Sequence, residues 1–134
     1  MTSRLPKCLL TIKINGVTLK LQSLIDSGCS FPLIISEKIL PKQTPINYCT
    51  SKQFTTANGT RDKTLGTTTV SILSNGHEIV RTEAHVMKSS PENIIIGFPI
   101  IQKLNLKIGA SYMEAELNNK TFKINYCNNT ISNI

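Results

Sequence analysis

The stretch Leu24-Ile25-Asp26-Ser27-Gly28-Cys29-Ser30 decides how the rest of the chain is read. An apolar strand runs directly into a carboxylate, a hydroxyl and a glycine. A strand apolar at successive positions is buried on both faces, so Asp26 arrives at the end of a rigid element rather than in a loose loop. Gly28 lets the backbone turn tightly and approach a ligand or another chain. Ser27 can hydrogen-bond the backbone and hold the loop. Asp-Ser-Gly alone is also what an ordinary capped turn contains, so the tripeptide acquires meaning only from its surroundings.

Those surroundings are hairpins. Asn-Gly pairs stand at Asn15-Gly16, Asn58-Gly59 and Asn75-Gly76, and Asn-Gly tolerates the positive φ that a tight hairpin turn demands. Cys8 to Ile14 and Val17 to Ile25 alternate apolar and polar residues on either side of the first pair. Thr64 to Leu73 and His77 to Met87 are rich in Thr, Val and Ile, which suit a pleated, half-buried surface. Asn118-Asn119 marks a further turn between Tyr112–Leu117 and Thr121–Tyr126. Helix is scarce: a short turn at Ser36–Leu40 stopped by Pro41, and Phe98–Leu104, with Pro99 near its start and Ile100, Ile101 and Leu104 on one side. The pattern predicts one all-β domain, a small barrel or sandwich with one short helix in its C-terminal third.

Composition narrows the function classes. The chain has 134 residues, 40% hydrophobic and 17% charged, which fits one folded domain with a core of its own. The domain is expected over 1–127, with 128–134 a polar tail or linker. No apolar run approaches the ~20 residues of a membrane span, and Met1 to Lys7 lack the apolar stretch of a signal peptide. An intracellular location and reduced thiols at Cys8, Cys29, Cys49 and Cys127 are therefore expected. With no CxxC pair and no HExxH motif, neither a metal nor a cofactor is implied. The net charge of +7 comes from basic residues spread along the chain without interleaved aromatics, so nucleic acid is not the expected partner. A Cys29–His pair has no supporting motif.

About seventy positions after Asp26 comes Asn93-Ile94-Ile95-Ile96-Gly97, an apolar strand ending in glycine and followed by the helix. Between the two lies the hairpin tip Ala57-Asn58-Gly59-Thr60. This order resembles the retropepsin family of aspartic proteases, and most of all the proteases of long-terminal-repeat retroelements and plant pararetroviruses, from about Cys8 to Ile124. The resemblance implies a small closed barrel with a flap and one short helix. It makes Asp26 the catalytic carboxylate, with Ser27 and Gly28 supporting the active loop and bracing it against a neighbouring subunit. Ala57, Asn58, Gly59 and Thr60 would form a mobile flap over substrate. Ile25, Ser30 and Ile95 would line the substrate site, and Gly97 would let its strand pass close beneath the loop. Ser30 and Phe98-Pro99 stand where many retroviral members carry charged residues, so ionic contacts found there in retroviruses are not expected.

Peptide hydrolysis of this kind needs two carboxylates on one water, one ionised and one protonated. The only other aspartate, Asp62, lies between Arg61 and Lys63 with no apolar strand before it, and reads as a solvated hairpin charge. The resemblance thus implies a homodimer with one Asp26 from each copy, acting on an extended peptide, its own viral or retroelement polyprotein. Two rival readings are a domain of the same fold used for binding or dimerisation with weak or no hydrolysis, and a basic β-barrel that binds nucleic acid.

Overall fold

The computed structural model describes residues 6–55 and 59–127. Met1–Leu5, the flap-tip residues Ala57 and Asn58, and the polar tail 128–134 lie outside the described residues. The strands in chain order are β1 (Lys7–Ile14), β2 (Val17–Ile25), β3 (Leu33–Ser36), β4 (Gln53–Thr55), β5 (Arg61–Lys63), β6 (Gly66–Ser74), β7 (His77–Met87) and β8 (Ile94–Ile96). Helix α1 (Phe98–Lys103) follows, then β9 (Lys107–Ile108), β10 (Tyr112–Leu117) and β11 (Lys120–Asn125). Six strands close into a barrel in the order β1-β2-β8-β3-β7-β6. Beside it lie a three-stranded sheet, β11-β10-β9, and a separate two-stranded one, β4-β5. No helix among the described residues is long and apolar enough to cross a membrane.

Turn chemistry sets the hairpins. Asn15 and Gly16 have φ of 49° and 78°, Asn75 and Gly76 of 52° and 80°, and Asn118 and Asn119 of 53° and 66°. Two successive positive φ values match the twist of the flanking strands, and Asn and Gly adopt them at least cost. The register that results places Ile12 opposite Leu19 in β1–β2 and Ile72 opposite Val80 in β6–β7. Every second residue of β1 then faces inward: Leu10, Ile12 and Ile14 are buried with Val70 and Ile72 of β6. Ile100 of α1, Leu104 just past its end, and Met113, Ala115 and Ile124 of the outer sheet complete the same core.

Strand β3 follows neither the turn nor the alternation rule. Leu33, Ile34, Ile35 and Ser36 are all buried, and β3 lies parallel to β7 and antiparallel to β8. A four-residue strand covered on both faces has no period to read. The helical turn expected after it is present over Glu37–Ile39, where the Ser36 hydroxyl accepts from the Lys38 N–H at 3.4 Å. One backbone contact holds the end of β2 just before Asp26, and an ion pair ties the adjoining start of β1 to the segment before β8. The Ile25 N–H donates to the Pro6 carbonyl at 2.9 Å, and Lys7 pairs with Glu92, which precedes β8, at 3.3 Å.

Candidate active site

The site begins with a crossing. Strand β8 lies between β2 and β3, parallel to β2 and antiparallel to β3. The loop that joins β2 to β3, residues 26–32, must therefore pass over the C-terminal end of β8. Three backbone hydrogen bonds fasten it there: Asp26 N–H to the Ile96 carbonyl at 2.9 Å, Gly97 N–H to Pro32 at 3.0 Å, and Phe98 N–H to Cys29 at 2.8 Å. Gly97 stands where the passage is closest. A Cβ there would fall on the Phe31 carbonyl oxygen and within 2.9 Å of the Cys29 oxygen. The glycine is required for space, not for its φ of -93°.

On this mount the Asp26 carboxylate is held by its own loop. Its Oδ1 accepts from the Gly28 N–H at 2.9 Å, and the Cys29 N–H donates back to the Asp26 carbonyl at 3.1 Å. Asp26 is half-buried, while Ser27, Gly28 and Ser30 are exposed. The acid thus sits at the rim of a rigid loop, presented outward rather than sealed in the barrel. Cys29 is half-buried behind it, its thiol against the Phe31 carbonyl at 3.6 Å. Burial pushes the Cys29 pKa up, with Asp26 adding to the effect and the Phe31 contact opposing it. A nucleophilic cysteine needs the reverse shift. Burial likewise holds the Cys8 thiol protonated, pushing its pKa up to about 12, with Cys127 contributing.

The expected wall residues separate. Ile25 is 4% exposed and belongs to the core. Ile95, between the buried Ile94 and Ile96, keeps partial access to solvent, as a residue of opposite phase on a strand must. It is a part-exposed apolar side chain beside the loop. Of the residues expected in a flap, Gly59 and Thr60 are exposed between β4 and β5, and Gly59 has a φ of 86°. The base of this hairpin is tied at Thr64, whose N–H donates to the Lys52 carbonyl at 2.9 Å while its hydroxyl accepts from the Lys52 N–H at 3.0 Å. Asp62 is exposed on β5, opposite Phe54, and its carboxylate accepts from the Lys63 N–H at 2.7 Å.

Three residues outside the motifs join these parts. Phe31, at the end of the active loop, stacks on His85 of β7 with ring centroids 4.4 Å apart and planes at 27°. Phe54 of β4 meets the same phenyl ring edge-on at 6.1 Å and 88°. The 26–32 loop, the barrel wall and the β4–β5 hairpin are thus joined through one aromatic stack. His85 is 5% exposed and its Nδ1 has no hydrogen-bond partner. Burial lowers its pKa, the Lys52 charge lowers it further, and Glu83 partly offsets both.

No family model and no curated protein sequence matches the chain. Among solved structures it is similar to the retroviral protease-like domain of Ddi1 from Leishmania major, with a TM-score of 0.56. The match covers 93% of this chain and 97% of that one, at 13% identity. The fold is retropepsin-like. At that identity the likeness lies in the path of the strands, and the chemistry must be argued from this chain's own residues.

Proposed function

We propose that the chain is one subunit of an aspartic endopeptidase whose active form is a homodimer, with Asp26 of each copy sharing one water. The observation that carries this reading is the mounting of Asp26. It ends a barrel strand, its carboxylate is fixed by the Gly28 N–H at 2.9 Å, and it faces outward from a loop pinned across β8. One such loop holds one carboxylate. General acid and base are both needed to add water to an amide, so a second copy must supply the other.

In the dimer two carboxylates about 3 Å apart share a single proton. The ionised one removes a proton from the water, whose oxygen adds to the scissile carbonyl carbon. The protonated one donates to the carbonyl oxygen. Breakdown of the tetrahedral adduct breaks the C–N bond and passes a proton to the leaving amine. The substrate is an extended peptide, lying between the active loop and the β4–β5 hairpin and bonded as an added strand. Ile95 supplies apolar wall beside the scissile bond. The sequence motifs favour the polyprotein that carries this domain as the natural substrate.

The test incubates the purified chain with its longer precursor, comparing wild type with Asp26→Asn and adding pepstatin to a parallel wild-type sample. The expected result is pepstatin-sensitive cleavage by wild type and none by the variant, with unchanged melting. Cleavage by Asp26→Asn at the wild-type rate overturns the assignment. A wild-type protein that self-associates but never cleaves favours the binding or dimerisation domain instead.

A further inference from the structure

Phe98 is 48% exposed, an unusual place for a phenylalanine whose own N–H is bonded to the active loop. Its backbone donates to the Cys29 carbonyl at 2.8 Å, and the preceding Gly97 packs against the underside of the same loop. Phe98 is thus held within one hydrogen bond of the segment Asp26-Ser27-Gly28-Cys29. Accepting the reading of Asp26 as half of a two-fold site, the centre of the dimer contact is fixed at this segment. A stable interface covers roughly 800 Å² on each partner, a disc about 16 Å in radius. Phe98 lies well inside such a disc.

Charge supports the same face independently. The chain carries +7, so two copies repel unless they meet where positive charge is sparse. Apart from Asp26, residues 24–36 contain no charged side chain, and neither do residues 93–101. These are the two segments that meet at the crossing of the active loop over β8. Interface centres are depleted of charge and enriched in aromatic anchors. Phe98, with the exposed Pro99 beside it, meets that description.

We propose that Phe98 is the apolar anchor of the contact with a second copy of this chain, holding the two Asp26 loops together where no ion pair is available. By the two-fold symmetry each substitution removes the contact twice.

The experiment is sedimentation equilibrium in an Asp26→Asn background, which prevents self-digestion. Phe98→Arg and Phe98→Leu are compared with Val17→Arg. Val17 is also exposed, at 41%, but lies at the opposite end of β2, about 30 Å from Asp26 by strand rise. Phe98→Arg is expected to raise the dimer dissociation constant at least about ten-fold, Phe98→Leu to lie between it and the parent, and Val17→Arg to leave it unchanged. Melting of Phe98→Arg well below the dissociation constant should match the parent monomer, separating loss of contact from loss of fold. A dissociation constant for Phe98→Arg within two-fold of the parent overturns the anchor while leaving the dimer standing. A parent that remains monomeric at every concentration overturns the half-site reading itself, and the anchor with it.

Discussion

Substituting Gly97 by alanine puts the crossing of the active loop over β8 to a direct test. The added methyl would overlap the Phe31 carbonyl oxygen and lie 2.9 Å from the Cys29 oxygen and 2.9 Å from the Phe31 carbonyl carbon. All three are backbone atoms, so no side-chain rotation relieves the clash, and the loop must lift away from β8. Overpacking of this kind costs ~1–3 kcal/mol. Lifting the loop also strains the bonds from Gly97 N–H to Pro32 and from Phe98 N–H to Cys29, at 3.0 and 2.8 Å, each worth ~1 kcal/mol net. The sum is ~3–5 kcal/mol against a typical total stability of ~5–15 kcal/mol. For a domain of this length that lowers Tm by about 10–20 °C. If the proposed function holds, cleavage should suffer more than stability, because a displacement of ~1 Å at a positioning loop costs on the order of a hundred-fold.

The assay is a pair of measurements on Gly97→Ala: thermal unfolding by circular dichroism, and the peptide cleavage proposed above, followed well below the lowered Tm. Gly16→Ala is the control. It has a φ of 78° with nothing within 4 Å of the new methyl, so it should cost only the ~1–2 kcal/mol of left-handed backbone strain and leave cleavage intact. A Gly97→Ala protein that melts within about 3 °C of wild type refutes the close passage, since an error of that size lies below one hydrogen bond on this scale.

Two further predictions concern the aromatic stack. Burial lowers the His85 pKa below its ordinary 6.5, so below that pH the unfolded chain binds more protons than the folded one; stability falls with acid until the lowered pKa is passed, and is unaffected above pH 6.5. His85→Phe should flatten this acid slope in urea unfolding between neutral pH and pH 5, and an unchanged slope would assign the loss to other groups. Phe54→Ala removes the edge contact from the flap hairpin to Phe31, worth ~0.5–1.5 kcal/mol beyond area; amide exchange in β4 and β5 should quicken while Tm moves little, and equal protection in both proteins would show that the contact does not hold the hairpin.

The features legible in the sequence are those that local rules govern. Asn15-Gly16 and Asn75-Gly76 specify their turns by backbone preference alone, and the alternation of Leu10, Ile12 and Ile14 follows from the two-residue period of a strand. The Asp-Ser-Gly and apolar-Gly motifs located the two ends of the crossing, but only as separate segments. What joins them is sheet order: β8 inserted between β2 and β3 forces the loop over its end, and no local rule states which strand enters between which others. The same limit hides the aromatic stack. Ala84, His85 and Val86 are all buried, so β7 has lost its alternation there, and it has lost it because the opposite face is covered by Phe31 from a distant part of the chain. A break in periodicity inside a long strand therefore carries information. At His85 it marks the point where the active loop comes down onto the barrel wall, and a polar residue among buried neighbours at such a break is the signal by which this contact could have been found.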